Sequence, residues 1–168
     1  MKRPPKINDI DAIYSIYMHE EVNPFLTYNL MPIEEFRKVF SEDINQIGWY
    51  VYLEAAEIAG FYKITRFKGK CDHIVQIGSL AIAPKHFGKG VAVRMMTELI
   101  ADFKAQGLKR IELIAESDNP RAIKFYEKLG FQKEGTLRNY CQRGSKDSFV
   151  DDYMMSIIVD TSQTQNGI

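Results

Sequence analysis

The sequence predicts a domain of the mixed α/β or α+β class, with a mixed but mostly antiparallel central sheet and helices on both of its faces. Segments rich in Val, Ile, Tyr and Phe, which favour strands, alternate with amphipathic stretches of helical period. Two such segments, Gly48–Glu54 and Ile58–Phe67, flank a short turn and are expected to pair antiparallel. The run from Ile74 to Ala115 has the order strand, helix, strand, which normally joins two parallel strands.

The length and composition support one compact domain. The chain has 168 residues, and 45% of them are apolar, which is enough for a packed core. We expect this single domain to span residues 1–160. Residues 161–168 are polar and rich in Gln, Ser and Thr, so they are expected to form a flexible C-terminal tail.

Charge balance and cysteine content limit the classes of partner and compartment. Lysine and arginine together number 22, as do aspartate and glutamate, so no net field favours nucleic acid or an anionic membrane. Two cysteines, Cys71 and Cys141, are too few for a disulfide scaffold and fit no zinc spacing. The sequence shows neither a signal peptide nor an apolar run of about 20 residues. We therefore expect a cytoplasmic protein that binds no nucleic acid, no membrane and no metal.

The first two predicted helices precede the strands. Asn8 and Asp9 can cap a helix whose apolar residues fall on one side. Those residues are Ile10, Ile13, Tyr14, Ile16 and Tyr17. After a loop from about His19 to Met31, Pro32 is expected in the first turn of a second helix, Ile33 to about Asp43.

Three strands and two turns are predicted next. Ala55–Glu57 and Lys68–Lys70 have turn character. The strand segments are Gly48–Glu54, Ile58–Phe67 and Ile74–Ile82. All three are rich in β-branched and aromatic residues, so the first half of the sheet is expected here.

A long amphipathic helix and four further elements complete the chain. From Ala92 to Phe103 the apolar residues recur at helical spacing, and Gly107 is expected to end that helix. Asn119-Pro120 is predicted to start another helix, which Gly130 ends. The remaining strands are expected at Leu108–Ala115, Phe131–Thr136 and Phe149–Val159.

A glycine-rich loop, Lys85 to Ala92, lies between an apolar strand and the long helix. A helix N-terminus carries unpaired amide N–H groups and a partial positive charge, and glycine lets an anion approach them closely. Lys85 and Lys89 add charge, so the loop is typical of a phosphate or pyrophosphate site. It is neither a Walker A loop nor the dinucleotide G-x-G-x-x-G fingerprint. For a bare G-x-G, an ordinary strand–helix turn is an equally good explanation.

Two further segments change that balance. One is the strand Gly78–Pro84, and the other is the run Asn119–Phe131, which reads Asn-x-x-Ala-x-x-x-Tyr-x-x-x-Gly-Phe. With the loop they resemble the GNAT superfamily of acyl-CoA-dependent N-acyltransferases, whose loop has the form Gln/Arg-x-x-Gly-x-Gly/Ala. The loop matches at Gly88 and Gly90 but begins with Lys85. The resemblance covers nearly the whole chain and is nearest to the branch of ribosomal-protein N-terminal and small-amine acetyltransferases.

The resemblance implies acetyl-CoA as the acyl donor and assigns residues to it. The backbone of Leu80, Ala81 and Ile82 would pair with the pantetheine arm where the two parallel strands splay apart. Asn119 would lie near the cofactor, although an Asn-Pro helix cap explains it equally well. The amides implied to hold the pyrophosphate are those of His86, Phe87, Gly88, Lys89, Gly90 and Val91.

The same resemblance implies that Tyr126 is catalytic. Spacing alone favours a half-buried aromatic residue that packs on the sheet beside Phe125 and Leu129. In the motif, the tyrosine hydroxyl protonates the departing CoA thiolate, or donates a hydrogen bond to it.

The general base is not evident in the sequence. Gln76 occupies the position where some members of the family carry a glutamate, and an amide cannot take the proton. His73 is a candidate, although a surface histidine is the simpler explanation. The other candidates are Glu20, Glu21, Glu54 and Glu116. Neither cysteine has a nucleophile's sequence context, so direct attack by the amine in a ternary complex is preferred over an acyl-enzyme.

The acceptor is expected to be a primary amine, either of a small molecule or of a protein or peptide, and a homodimer is a possible assembly. A non-catalytic acyl-CoA sensor of the same fold is the main alternative function, and a nucleotide-binding module is a second. The residues expected to wall the acceptor pocket are Tyr17, Glu20, Glu21, Asn23, Phe25, Tyr28, Arg138 and Tyr140.

Overall fold

The structure is a computed structural model that describes residues 1–44, 48–143 and 147–159. The last residue of the predicted domain and the predicted tail, 161–168, lie outside these ranges. Within the ranges, the helices are α1 (Ile10–Tyr17), α2 (Ile33–Asp43), α3 (Val91–Ala105) and α4 (Pro120–Lys128). The strands are β1 (Lys2–Arg3), β2 (Gly48–Glu54), β3 (Glu57–Arg66), β4 (Ile74–Ile82), β5 (Arg110–Glu116), β6 (Gln132–Gln142) and β7 (Phe149–Ile158).

The strands form a sheet in the order β1-β2-β3-β4-β5-β7-β6. β4 and β5 pair in parallel, and α3 connects them along the chain. The pairs β1–β2, β2–β3, β5–β7 and β6–β7 are antiparallel. The predicted fold class, a mixed and mostly antiparallel sheet with one strand–helix–strand crossover, is therefore confirmed.

The chain divides into two compact units. The first unit comprises Met1–Thr65 and Gly78–Met95, and the second comprises the described residues of Arg66–Ile77 and Met96–Ile168. β4 contributes to both, because its residues up to Ile77 belong to the second unit and those from Gly78 to the first.

An aromatic core holds the first unit together. The ring of Tyr17, from α1, stacks on Phe61 of β3 at 5.6 Å between centroids, and it packs against Phe36 of α2 at 5.4 Å. Phe40 and Trp49 meet edge to face at 5.1 Å. Each of these side chains is almost completely buried, and burying one large apolar side chain contributes about 1.5–3 kcal/mol to stability.

The helix starts of the first unit differ in detail from the prediction. Asp9 is the residue before α1, but its carboxylate accepts hydrogen bonds from the Arg3 guanidinium and the Lys6 amide instead of capping the helix. Pro32 lies one position before the first turn of α2. β1 was not predicted, because two residues are too short for a periodic signal and are held by pairing with β2.

The β2–β3 turn consists of Ala55 and Ala56. Glu54 and Glu57 pair with each other on either side of it, so it is a two-residue hairpin turn. Both alanines have positive φ, +47° and +69°, which is the left-handed region that favours glycine. β3 therefore begins one residue earlier than predicted.

In the second unit, the side chains of β5 alternate between buried and half-buried, with Ile111, Leu113 and Ala115 buried. β6 is longer than the predicted Phe131–Thr136, since it pairs with β7 as far as Gln142↔Phe149. The sequence of its second half is polar and gives no strand signal, so the partner strand determines its length.

Candidate active site

The glycine loop of the first unit turns sharply between β4 and α3. A short 3-10 turn, Pro84–His86, is followed by Gly88 and Gly90, whose φ angles are +72° and +74°. A residue with a Cβ is strained in this region, so the two glycines are required by the backbone path. α3 then begins at Val91, directly after the second glycine.

Only some of the loop amides are available to an anion. The amides of His86, Phe87 and Lys89 donate to carbonyls within the loop, at 2.8, 3.0 and 3.3 Å. In the part of the chain that the structure describes, the amides of Gly88, Gly90 and Val91 have no intramolecular acceptor. Of the six amides predicted to hold the pyrophosphate, these three have no acceptor within the described residues.

Two ion pairs connect the loop to the β2–β3 turn, and both lie in the first unit. Arg94 donates from Nε to Glu54 Oε1 and from Nη1 to the Lys89 carbonyl, each at 3.1 Å. Lys85 pairs with Glu57, whose pKa is lowered by that lysine. The charge of Lys85 is therefore already paired with Glu57. Arg94, which lies one helical turn after Gly90, was not predicted from the sequence.

The last residues of β4 lie where the β4–β5 ladder has ended. Paired positions run from Ile74↔Arg110 to Ile77↔Leu113 in the second unit. Beyond them Ser79 has a positive φ of +45°, an irregularity that redirects the strand. Of the three predicted backbone ligands that follow, Ala81 and Ile82 are buried and Leu80 is half-buried.

Asn119 and Tyr126 lie on α4 in the second unit. The Asn119 side chain accepts a hydrogen bond from the Ala122 amide at 3.1 Å, so the predicted helix cap is confirmed. Tyr126 is buried between the rings of Phe125 and Phe131. Burial raises the pKa of its phenol to about 12, and the charge of Glu116 adds to that increase. The hydroxyl is consequently protonated at neutral pH.

A cluster of ionisable side chains surrounds the end of β5, near Tyr126. It consists of Glu116, Arg143, Asp152, Asp118 and Cys141. Glu116 Oε1 lies 3.3 Å from Arg143 Nη2, and Nη1 of the same arginine pairs with Asp118 Oδ2. Cys141 Sγ donates to Asp152 Oδ2 at 3.3 Å. Glu116 was a candidate base from sequence, whereas Asp152 and Arg143 could not be found, because strand pairing brings them together.

Burial and neighbouring charges shift the ionisation of this cluster. Burial, together with Asp152 and Asp118, raises the pKa of Glu116 to about 7, although Arg143 opposes the shift. The pKa of Asp152 is also raised, mainly by burial. Burial and the Asp152 carboxylate raise the pKa of Cys141 to about 12, so its thiol is not a nucleophile at neutral pH.

The other candidate bases are not buried among other carboxyl groups as Glu116 is. His73 is exposed in the turn before β4, and Glu20 and Glu21 are exposed as well. Glu54 is paired with Arg94, as described above. Gln76 is half-buried within β4.

The residues predicted to wall the acceptor pocket differ in exposure. Tyr17 and Asn23 are buried in the first unit, where the Asn23 amide donates to the carbonyls of Tyr17 and Tyr28. The Tyr28 hydroxyl donates to Asp43 at 2.7 Å. Exposed members of the set are Glu20, Glu21, Phe25, Arg138 and Tyr140.

Neither a metal site nor a membrane helix is evident in the described ranges. No three His, Cys, Asp or Glu side chains within residues 1–44, 48–143 and 147–159 come together as metal ligands. No helix in those ranges has both the length and the apolar character needed to cross a bilayer.

Known proteins resemble this chain in sequence and in structure. The sequence profile of the acetyltransferase (GNAT) family matches residues 10–131. N-acetyltransferase p20 of Bacillus licheniformis is 34% identical over 170 residues, covering 93% of this chain and 90% of that protein. Spermidine N-acetyltransferase from Vibrio cholerae, solved with CoA and spermine, superimposes with a TM-score of 0.78 at 20% identity, over 94% of each chain.

A second solved structure agrees over the full length. The ribosomal-protein-S18-alanine N-acetyltransferase from Escherichia coli has a TM-score of 0.72 at 17% identity, covering 100% of this chain and 99% of that one. At these identities the two structures demonstrate a shared fold.

Proposed function

Because the chain belongs to the GNAT family of acetyltransferases, we propose that it transfers the acetyl group of acetyl-CoA to a primary amine. The chain is an N-acetyltransferase, as is the relative that matches most of its length. The observation that carries the proposal is the glycine loop, in which three amides at the start of α3 have no partner among the described residues. The transfer occurs by direct attack of the amine on the thioester.

The loop fits a diphosphate. Unpaired amides at a helix N-terminus and the positive end of the helix dipole favour an anion. A Cβ added at Gly88 would meet no atom within 4 Å, so the space beside the loop backbone is open. The amides of Gly88, Gly90 and Val91 would donate to the diphosphate oxygens, and the backbone of Leu80, Ala81 and Ile82 would pair with the pantetheine arm. Asn119 keeps its proposed place near the cofactor while it caps α4.

Tyr126 serves as the general acid. The pKa of an ordinary thiol is about 8.5, whereas the pKa of the Tyr126 phenol is about 12. Transfer of the phenol proton to a free thiolate would therefore be unfavourable. The phenol therefore donates a hydrogen bond to sulfur as the C–S bond breaks, and its proton passes to sulfur in concert with a proton that the amine nitrogen returns to the phenol oxygen. Its buried, protonated state at neutral pH keeps that proton in place.

Direct transfer agrees with the state of the cysteines. Cys141 is held as a thiol by burial and by Asp152, so an acetyl-cysteine intermediate at this residue is not expected. Cys71 is exposed in the turn before β4.

The acceptor is a primary amine of a small molecule or of a protein N-terminus. Structural neighbours include enzymes of both kinds, one named for spermidine and one for a ribosomal-protein alanine. A non-catalytic sensor of acyl-CoA is not favoured, because the relative covering most of the chain is named as an N-acetyltransferase. We expect the enzyme to act in the cytoplasm, and the two free cysteines support this expectation.

A screen of acceptors tests this function. The purified chain is incubated with acetyl-CoA and a panel of polyamines, amino acids and peptides with free N-termini, and released CoA thiol is measured. We expect turnover with at least one class of primary amine and none without an acceptor. Failure of every amine to release thiol above the acceptor-free rate would contradict the proposal.

Ligand-induced thermal shift separates this function from nucleotide binding. A ligand that binds only the folded state raises the apparent stability by RT ln(1 + [L]/Kd). Acetyl-CoA should raise the melting temperature, whereas ATP and NAD at the same concentration should not. A shift with NAD that matches the one with acetyl-CoA would favour a nucleotide-binding module.

A further inference from the structure

We propose that Glu116 is the general base that takes the proton from the acceptor amine, and that Asp152, opposite it on β7, controls when it can do so. This inference rests on the proposed function. It assigns the step that the sequence left open, because Gln76 cannot accept the proton. Every residue involved belongs to the second unit.

Strand pairing brings the two carboxyl groups together. Glu116 and Asp152 are register partners in the antiparallel β5–β7 ladder. Partners in such a ladder place their side chains on the same face, with Cβ atoms about 4.5–5.5 Å apart. Asp152 is 2% exposed, and the Glu116 side chain is 13% exposed. Two acidic groups therefore face each other in a poorly solvated place.

The surrounding charges do not neutralise both groups. Arg143 is the cation beside Glu116, at 3.3 Å, and it also pairs with Asp118. Asp118 and Asp152 both act on Glu116 with like charge. With more carboxyl groups than cations, the cluster favours a bound proton.

The carboxyl group of Asp152 also has too few partners for its charge. Its Oδ2 accepts from the Cys141 thiol, while Oδ1 is buried and, within the described residues, has no hydrogen-bond partner. A buried ionised oxygen without a partner is costly. The cost is relieved when the Glu116–Asp152 pair holds a proton, which is the state that follows proton abstraction from an amine.

The ionisation of Glu116 suits that task. Burial and the carboxylates of Asp152 and Asp118 raise its pKa to about 7, so at neutral pH a substantial fraction is ionised and basic. A general base is most effective with a pKa near the working pH. The pKa of Tyr126, near 12, is displaced upward in the same cluster, so one group accepts a proton while the other holds one.

The proton balance closes over one turnover. The Glu116 carboxylate takes a proton from the ammonium form of the acceptor and leaves a neutral amine. The amine nitrogen forms its bond to the acetyl carbon, the C–S bond breaks, and the sulfur takes the phenol proton of Tyr126. The second proton lost by nitrogen restores the phenol, and Glu116 releases its proton to solvent. The products are the N-acetyl amine, CoA thiol and one proton.

The test compares the pH dependence of kcat/KM for four variants with that of the wild type, using an amine found active in the screen. Glu116→Gln should lower kcat by about 10²-fold or more, the scale of a lost general base, and should remove the limb that rises with pH near neutrality. Glu127→Gln is the matched control, since this exposed glutamate of α4 lies outside the cluster. It should leave the profile unchanged.

Two neighbours should move that limb in opposite directions. Asp152→Asn removes a like charge, so the pKa of Glu116 falls and the limb moves to lower pH. Arg143→Gln removes the opposite charge, so the pKa rises and the limb moves to higher pH. A merely structural role for the cluster would lower activity in both variants without these opposed shifts. Melting temperatures of all variants establish that each one is folded.

A direct titration gives a readout that does not need activity. In ¹³C NMR of the glutamate side-chain carboxyls, one resonance should titrate near pH 7 and be lost in Glu116→Gln. The inference is overturned if no such resonance exists, if Glu116→Gln keeps the wild-type profile, or if both neighbour variants shift the limb the same way. A wild-type chain without turnover on any amine would overturn the proposed function, and this inference with it.

Discussion

Tyr126 combines a structural role with the catalytic role that we propose for it. Its ring packs with Phe125 and Phe131, so burial fixes its position, and the same burial keeps the phenol protonated. Spacing in the sequence predicted only the packing role, and the motif predicted the catalytic one. The two roles are compatible, because the hydroxyl is a small part of a largely apolar side chain.

Replacing Tyr126 with Phe tests the catalytic role alone. The ring and its packing remain, while the proton donor is lost, so kcat should fall by about 10²-fold or more. The Kd for acetyl-CoA, measured by isothermal titration calorimetry, should change little. Tyr50→Phe, which removes the hydroxyl from a half-buried tyrosine stacked on Tyr62, is the control and should keep full activity. An unchanged kcat in Tyr126→Phe would remove this residue from the mechanism.

At the scale of an element, the glycine loop offers backbone amides as its binding groups, and its charged side chains mainly fix its position. Gly88 and Gly90 permit the turn, and three amides at the start of α3 have no acceptor in the ranges that the structure describes. Arg94 and Lys85 connect the loop to Glu54 and Glu57 on either side of the β2–β3 turn. The loop's shape therefore depends on a hairpin distant in sequence.

Gly90→Val should abolish binding of acetyl-CoA. The backbone at Gly90 has φ +74°, and a Cβ would lie 3.2 Å from Arg94 Nη1. The substitution therefore disturbs both the turn and the contacts of Arg94 that connect it to Glu54. Gly69→Val is the matched control, because Gly69 has φ +65° with open space around it and lies outside the loop. Both variants should lose stability, but only Gly90→Val should lose the thermal shift that acetyl-CoA produces. Equal retention of the shift would contradict the role of the loop.

Arg94→Gln should weaken acetyl-CoA binding moderately. Exposed ion pairs contribute about 0–1 kcal/mol, which corresponds to at most about a fivefold rise in KM. The effect on kcat should be small, since the residue positions the loop and does not contact the reacting bond. Steady-state kinetics with varied acetyl-CoA measure this, and Arg37→Gln, which breaks the exposed Arg37–Asp11 pair, should leave KM unchanged. A large fall in kcat with an unchanged KM would contradict a positioning role.

The sequence predicted most elements because their periodicity is local. The bounds of α2, β2 and β4 agree with the structure, and the α4 cap follows from Asn119-Pro120. The second half of β6 was missed, because its pairing with β7 and not its own residues makes it a strand.

The residues of the candidate site also differ in whether a local sequence pattern identifies them. Tyr126 and the loop glycines belong to contiguous motifs, so they could be named from sequence. The Glu116–Asp152 pair depends on the register of β5 against β7, and the pairing of Lys85 with Glu57 depends on tertiary contact. No local pattern encodes either.

At the scale of the whole molecule, the raised pKa of Glu116 links the candidate site to stability. The pKa rises from an ordinary value of 4.5 to about 7 on folding. Between these values the folded state keeps a proton that the unfolded chain has released. The free energy of unfolding should therefore contain a contribution that is lost as pH rises through this range.

Glu116→Gln should remove that contribution. The melting temperature of the variant, measured relative to that of the wild type, should increase as pH rises from about 5 to about 8, because only the wild type must ionise a buried Glu116. Differential scanning calorimetry across this range measures the difference, with Glu127→Gln as the reference. A constant difference between variant and wild type at all pH values would contradict the raised pKa.

The two alanines of the β2–β3 turn identify a place where the protein can be made more heat-resistant. A left-handed conformation costs a residue with a Cβ about 1–2 kcal/mol, and Asn-Gly is the preferred pair for such hairpins. Changing Ala55-Ala56 to Asn-Gly should raise the melting temperature by about 2–4 °C for each kcal/mol regained. Since Glu54 and Glu57 are retained, turnover should persist, and the gain in stability would offset destabilising changes introduced elsewhere in the chain.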